Sequence, residues 1–109
     1  MAGYRQDITP FCFAVSRQNE EIVKIMAEVV PEDHILKPFY YGMTVLHIAA
    51  QNGYLRIVKQ LCNIVANPNV LDDFGNYPIH CAAANGRLET VKYLTRHSEH
   101  LVLIENPEN

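Results

Sequence analysis

The sequence has few cysteines and no long apolar run. The first feature argues against a disulfide-stabilised protein, and the second against a membrane-spanning one. Its three cysteines include no Cys-x-x-Cys pair, so they favour a reducing compartment over a disulfide framework. No apolar run approaches the roughly 20 residues that cross a bilayer, and the opening residues MAGYRQD lack the apolar segment of a signal peptide. We therefore expect a cytoplasmic protein without a membrane partner. A nuclear location, or delivery to a host cell as a bacterial effector, is the alternative.

Positive charge is also scarce. Nine Lys and Arg residues stand against twelve Asp and Glu residues, which gives a net charge of -3. A general nucleic-acid binder carries a basic stripe, so no nucleic-acid partner is predicted. With 109 residues, of which 49% are hydrophobic and 19% charged, the chain suits one folded domain and not a disordered segment.

Motifs of catalysis are missing as well. The sequence has no glycine-rich phosphate loop, no HExxH and no GxSxG. Each of the paired carboxylates, Glu20-Glu21 and Asp72-Asp73, suits a helix start or a solvated turn. Cys81 follows His80, but adjacent residues of a helix point about 100° apart, so a Cys-His dyad is disfavoured. We expect no enzyme activity and no cofactor.

Three segments repeat one pattern at a spacing of about 33–35 residues. They are TPFCFAVSRQNEEIVKIM from Thr9, TVLHIAAQNGYLRIVKQL from Thr44 and YPIHCAAANGRLETVKYL from Tyr77. Each predicts two short helices. In the first two segments a threonine, Thr9 or Thr44, caps the first helix, and in the first segment Pro10 follows it at N1. Asn52-Gly53 and Asn85-Gly86 end the first helix of the later segments, because glycine accepts the left-handed conformation.

The second and third units each carry a longer series of characteristic residues. In the second unit these are Thr44, Leu46, His47, Ala49, Ala50, Gly53, Ile57, Val58, Leu61, Ala66, Asn69 and Asp72, and in the third they are Gly75, Pro78, His80, Ala82, Ala83 and Gly86. The set resembles the ankyrin repeat, a unit of about 33 residues. The resemblance implies an all-α ankyrin-repeat solenoid of stacked helix-turn-helix units with finger-like turns between repeats. A single domain over residues 1–109 would hold repeats at about 5–38, 39–71 and 72–105.

Several positions depart from the family pattern. Tyr77 replaces the capping threonine and Val45 the proline, which predicts weaker helix starts. Val65 replaces a glycine, so the second helix must end differently. The first unit is degenerate, with Cys12 in place of histidine, Gln18 in place of glycine and an insertion near 31–41. These features are typical of a terminal capping repeat with a polar outer face. Because residues 105–109 align with the start of a further unit, we expect the chain to be a piece of a longer array.

His47 and His80 have a structural interpretation. Each lies three residues into the first helix of its unit, where its ring can bond back to the capping residue or to a neighbouring backbone group. Cys12, His47 and His80 occupy corresponding positions on stacked helices, about 8–10 Å apart. Zinc ligands lie about 2.0–2.3 Å from one ion, so the column predicts no metal site. The resemblance implies that Asn69 supports its loop. It also makes Asn69 a candidate for hydroxylation, since some members of the family are hydroxylated at the matching asparagine.

One turn is unusually aromatic: KPFYYGMT, residues 37–44. In the family geometry, inter-repeat turns project as fingers and form a concave binding face with the first helices. The register places Tyr40, Tyr41 and Phe74 on adjacent fingertips, which is typical of a protein-binding hot spot. Phe39 is expected to pack against the first repeat. The predicted contact residues are Tyr40, Tyr41, Met43, Gln51, Asn52, Asp73, Phe74, Asn76, Ala84, Asn85 and, in the first unit, Arg5, Gln6, Ile8, Ser16 and Arg17.

The sequence thus predicts a monomeric, non-catalytic module that binds another protein of unknown identity. An alternative stays open. The chain could be a regulatory or targeting segment of a larger enzyme, channel or secreted bacterial effector.

Overall fold

The computed structural model describes residues 10–65 and 67–97. Within these ranges the chain is all-α, as predicted, and contains seven helices. No helix in the described part of the chain combines the length and apolarity needed to cross a membrane. The helices are α1 (Pro10–Ser16), α2 (Glu20–Val29), α3 (Glu32–Ile35), α4 (Val45–Asn52), α5 (Leu55–Ile64), α6 (Pro78–Ala84) and α7 (Leu88–His97).

The ends of α4 follow from local chemistry. The Thr44 hydroxyl accepts hydrogen bonds from the backbone N–H groups of Leu46 and His47, two donors that have no partner inside the helix. Gly53 ends the helix with a φ of 72°, a left-handed conformation that glycine adopts without a Cβ clash. Both predictions from the sequence are confirmed.

Two departures from the pattern show the predicted local geometry, whereas Val45 leaves the start of α4 fully capped by Thr44. Tyr77 gives α6 no side-chain cap, and Val65 ends α5 in an extended conformation instead of a left-handed one. The carboxylates of Glu20-Glu21 lie in the first turn of α2, where the helix dipole favours negative charge. Thr9, the predicted cap of α1, lies outside the described residues.

The helices pair in chain order and the pairs stack. α1 packs on α2, α4 on α5 and α6 on α7, and α4 lies between α1 and α6. Alanines on α4 and α6 permit this close approach, and Ala49, Ala50 and Ala82 are all fully buried. The core runs through all three pairs. Its apolar members include Phe11, Val15, Val23, Leu46, Ile57, Val58, Leu61, Cys62, Ile79 and Leu94.

The insertion after α2 folds back onto the first helix pair. It forms the short helix α3, whose Ile35 is buried, and Phe39 is half-buried against the same core. The predicted packing of Phe39 is therefore confirmed. The insertion does not fill the space completely. A cavity of about 250 Å³ remains, lined by Phe11, Met26, Ile35, Phe39 and neighbouring side chains.

The outer edge of the first pair corrects the expectation of a polar capping face. Phe13, Ile22, Ile25 and Val29 are all exposed there. The first repeat is degenerate in sequence, but its edge exposes four large apolar side chains beside charged residues such as Glu21, Lys24 and Glu28. Degeneracy at the histidine and glycine positions therefore did not indicate a polar cap.

Candidate functional site

The finger of the second repeat is a tight turn. The N–H of Phe39 donates to the carbonyl of Met43 at 3.0 Å, and the N–H of Met43 donates to the carbonyl of Tyr40 at 2.8 Å. The two central residues, Tyr41 and Gly42, have φ angles of 52° and 73°. Positive φ at both central positions is the pattern of a type I′ turn. The turn fixes the backbone that carries both tyrosines.

The finger of the third repeat is held by a buried carboxylate. Oδ1 of Asp72 accepts from the N–H of Phe74 and from the N–H of Asn76, both at 2.9 Å. Asp73 is exposed, as predicted, but Asp72 is buried. The expectation of a solvated turn at Asp72-Asp73 was therefore wrong for Asp72. Its carboxylate supplies acceptors for loop amides that have no helix or sheet partner.

A backbone hydrogen bond joins the two fingers. The N–H of Asp73 donates to the carbonyl of Tyr41 at 2.9 Å. Gly42 permits this contact, because a Cβ built there would lie only 2.7 Å from the Asp73 nitrogen. The fingertips are thus held side by side.

The three predicted rings meet on these fingertips. The ring centroids of Tyr40 and Tyr41 are 4.5 Å apart at 63°, and those of Tyr41 and Phe74 are 5.7 Å apart at 52°. Both are favourable aromatic geometries. All three rings are exposed, and Phe74 has 70% of its surface accessible. We refer to Tyr40, Tyr41 and Phe74 as the aromatic fingertip cluster.

The remaining predicted contact residues differ in their exposure to solvent. Asp73, Ala84, Asn85, Ser16 and Arg17 are exposed, whereas Met43, Gln51, Asn52 and Asn76 are half-buried. Several of these residues already make contacts within the chain that stabilise the fold. The side-chain amide of Asn85 donates to the backbone carbonyl of Cys81 at 2.8 Å, and the backbone carbonyl of Gln51 accepts from Nε of Arg87 at 2.9 Å. Arg17 lies over the ring of Phe13. Arg5, Gln6 and Ile8 lie outside the described residues.

Leu71 and Phe13 are exposed apolar side chains that the sequence analysis did not single out. Leu71 directly precedes the third finger and adds apolar surface at its base. Phe13 lies on α1 at the position of Ile48 and Cys81 in the later repeats. The exposure of Phe13 could not be predicted from the repeat register, because the residues at the same position in the later repeats are half-buried and buried. Leu71 was detectable, because it immediately precedes Asp72-Asp73 in the turn.

His47 connects the second helix pair to the third finger. Its Nδ1 accepts from the N–H of Thr44 at 3.1 Å, and its Nε2 donates to the carbonyl of Asn76 at 2.9 Å. Burial lowers the pKa of His47, although the Asn76 carbonyl and the Asp72 carboxylate partly oppose that shift. His80 makes the equivalent cap, since its Nδ1 accepts from the N–H of Tyr77 at 3.0 Å. The predicted structural interpretation of both histidines is confirmed.

The cysteines of the later repeats are poor nucleophiles. Burial raises the pKa of Cys62 to about 12. Burial, together with the negative charge of Asp72, raises the pKa of Cys81 to about 11. Because the thiolate is the reactive form, both side chains are unreactive thiols near neutral pH. Residues 10–65 and 67–97 hold no group of three His, Cys, Asp or Glu side chains placed to bind a metal ion.

Asn69 lies between the second and third helix pairs. It is half-buried, and its backbone N–H donates to Oδ1 of Asn67 at 3.0 Å. The hydroxylation of Asn69 stays a prediction.

Comparison with known proteins agrees with this geometry. The family model for ankyrin repeats in three copies matches residues 2–72 and 46–107. The chain belongs to the ankyrin-repeat family. Ankyrin repeats generally bind other proteins and are generally non-catalytic.

Relatives of this ankyrin-repeat chain include proteins of different kinds. It is 30% identical over 79% of its length to the probable 26S proteasome regulatory subunit p28 of Saccharomyces cerevisiae, and covers 38% of that protein. It is 38% identical over 61% of its length to the mitochondrial liver isoform of glutaminase of Mus musculus, and covers 11% of it. A putative ankyrin repeat protein of Rickettsia bellii is 41% identical over 55% of the chain, which covers 26% of that protein. The chain thus spans well under half of these relatives.

Proposed function

We propose that this ankyrin-repeat chain is a non-catalytic module that binds a partner protein through the aromatic fingertip cluster and the adjoining concave face. The observation that carries the proposal is the meeting of Tyr40, Tyr41 and Phe74 on two linked fingertips with their rings exposed. Clustered exposed aromatics of this kind are typical of protein-binding hot spots.

The fingers also give the cluster a favourable starting conformation. The buried Asp72 carboxylate and the hydrogen bond from Asp73 to Tyr41 already hold the backbone in place. A partner then has little backbone to order on binding, which reduces the entropic cost of association. Each tyrosine adds a hydroxyl at the end of an apolar ring. The surface therefore suits a protein partner that presents apolar groups with hydrogen-bonding groups around them.

The test compares wild-type protein with the triple variant Tyr40→Ala/Tyr41→Ala/Phe74→Ala as bait in a pull-down, with partners identified by mass spectrometry. Removing a hot-spot side chain costs roughly 2 kcal/mol or more of binding free energy. We expect the triple variant to lose the partners that the wild type retains. Thermal unfolding followed by circular dichroism verifies that the variant is folded.

Leu88→Ala is the matched control, because it removes an exposed large apolar side chain on α7 that belongs neither to the fingertip cluster nor to the predicted contact residues. It is expected to retain the partners. Equal partner binding by the folded triple variant and the wild type would place the contact surface elsewhere. Unfolding of the triple variant would mean that the rings serve the fold.

A second candidate function is that of a regulatory or targeting segment within a larger enzyme, channel or effector. The observation that favours it is the similarity to glutaminase, of which the chain covers 11%. An antibody raised against this chain would test it on an immunoblot of the source cells. A band far above the 12.4 kDa of the chain supports the segment, whereas a band at that mass excludes it.

A further inference from the structure

An acidic side chain lies beside the aromatic fingertip cluster. Asp73 is exposed, and its carboxylate lies so close to Gly42 that a Cβ built on Gly42 would clash with Oδ1 of Asp73. The ring of Phe74 lies 5.7 Å from the ring of Tyr41, the residue before Gly42. The Asp73 carboxylate and the Phe74 ring therefore lie against the same turn of the second finger.

The Asp73 carboxylate has no counterion in the part of the chain that the structure describes. Three close pairs of basic and acidic side chains occur there, and they are Glu20–Arg56, Glu89–Lys92 and Asp33–His34. Lys37 is the described basic residue nearest to the fingertips in sequence, and it borders the cavity of the first helix pair instead. Asp73 is thus available to a positive charge that another molecule supplies.

Asp73 differs in this respect from Asp72. Both oxygens of Asp72 bind groups of the third finger, since Oδ1 accepts from the N–H groups of Phe74 and Asn76 and Oδ2 accepts from the Asn76 side chain at 3.4 Å. The Asp73 side chain makes no hydrogen bond within residues 10–65 and 67–97, and only its backbone N–H binds the second finger. The Asp73 carboxylate therefore adds charge to the fingertips without holding their backbone.

We propose that the partner protein places an arginine here, with its guanidinium on the Asp73 carboxylate and its planar face over the Phe74 ring. This inference rests on the proposed function and adds the kind of side chain that the fingertips recognise. Arginine fits better than lysine, because a guanidinium both stacks on an aromatic face and donates two parallel hydrogen bonds to a carboxylate. Phe74, with 70% of its surface accessible, offers such a face.

The surrounding side chains define what should flank the arginine. Tyr40 is 38% exposed on the neighbouring fingertip, and Leu71, at the base of the third finger, is 53% exposed. Both offer apolar surface within the same region of the chain. An acidic group of the partner is disfavoured at Asp73, since like charges repel. The fingertips therefore suit a segment that carries an arginine beside an apolar residue.

Selection of a random dodecapeptide library on phage, with the purified chain as bait, tests the proposal. We expect the selected peptides to be enriched in arginine beside an apolar residue, and the variant Tyr40→Ala/Tyr41→Ala/Phe74→Ala to select none of them. Asp73→Asn removes the charge and keeps the backbone N–H that joins the fingers, so it should lose the preference for arginine. Glu28→Gln is the matched control, because it removes an exposed charge on α2, and it should keep that preference.

A double-mutant cycle then locates the arginine. Citrulline is neutral and similar in shape, and in place of the arginine of a selected peptide it should weaken binding to the wild type about tenfold, as measured by fluorescence anisotropy. In Asp73→Asn the same replacement should change the affinity less than about twofold, because the two groups no longer interact. The replacement in the peptide leaves the protein unchanged, so a folding defect cannot produce the wild-type result. Thermal melts verify that Asp73→Asn is folded, and Asp73→Ser replaces it otherwise.

The outcomes separate this inference from the proposed function. Selected peptides that need the fingertip rings but lack arginine would overturn the inference and leave the proposed function standing. Equal effects of citrulline on the wild type and on Asp73→Asn would place the arginine elsewhere and overturn it as well. A wild type that enriches no peptide also overturns it, and the pull-down with the triple variant then decides the proposed function alone.

Discussion

At the scale of single residues, His47 gives the clearest pH dependence. Burial lowers its folded-state pKa below the ordinary value of 6.5, so the folded protein binds fewer protons than the unfolded chain. The stabilisation is fully present above pH 6.5 and is lost as the pH falls from there towards the lowered pKa. Protonation of Nδ1 also removes the acceptor for the Thr44 N–H. We expect the free energy of unfolding, measured by urea titration, to decrease between pH 7.5 and 5.5.

Variants at the two histidines isolate this effect. His47→Gln should flatten the pH dependence and cost about 1–3 kcal/mol at pH 7.5, since it leaves buried polar groups without partners. His80→Gln is the matched control, because His80 makes the same cap at a half-buried position. An unchanged pH dependence in His47→Gln would show that another group titrates.

The sequence register predicted the capping role of His47 but not all of its bonds. The bond to Thr44 spans three residues and follows from helix geometry. The bond to the Asn76 carbonyl joins residues 29 positions apart, and it depends on how one finger lies against the preceding helix. Asp72 escaped prediction for the same reason, because its burial is set by the loop that it organises.

At the scale of elements, the two finger glycines form a matched pair. Gly42 and Gly75 have φ angles of 73° and 80°, so an alanine at either position is strained by roughly 1 kcal/mol or more. Only at Gly42 would the added Cβ also meet the Asp73 backbone, at 2.7 Å, whereas at Gly75 nothing lies within 4 Å. We expect Gly42→Ala to lower the free energy of unfolding more than Gly75→Ala does, as measured by urea unfolding.

The comparison has a second readout, namely partner binding. Gly42→Ala pushes the two fingers apart and should weaken partner capture, while Gly75→Ala should leave the ring cluster together. Equal losses of stability in the two variants would mean that the contact between the fingers contributes nothing. The six helices of the three pairs were predictable, because caps, glycines and apolar spacing are local signals, whereas α3 in the insertion was not predicted. Contact between fingers depends on stacking, and only the repeat register placed these rings on adjacent fingertips.

At the scale of the whole molecule, the edges show what the sequence pattern could not reveal. Ile22 and Ile57 occupy equivalent positions and are the same residue type, yet one is exposed and the other buried. A pattern of apolar residues identifies the face of a helix that a neighbour covers, but not whether that neighbour is present. The prediction of a polar first repeat therefore failed at this edge, although the all-α stack itself was predicted correctly.

The stack should also open from its first pair. α1 and α2 have an exposed edge and a cavity of about 250 Å³ beneath α3, whereas α4 packs between helices on both sides. Repeat arrays are stabilised by neighbour contacts, so the least covered unit opens first. Hydrogen exchange measured by NMR should show faster exchange in α1 and α2 than in α4. Ile35→Ala removes a buried side chain from the wall of that cavity and should accelerate exchange mainly in the first pair, while Val58→Ala, in the central pair, should accelerate it throughout. If both substitutions accelerate exchange equally in every helix, the described helices unfold as one cooperative unit, and the cavity has no local effect on opening.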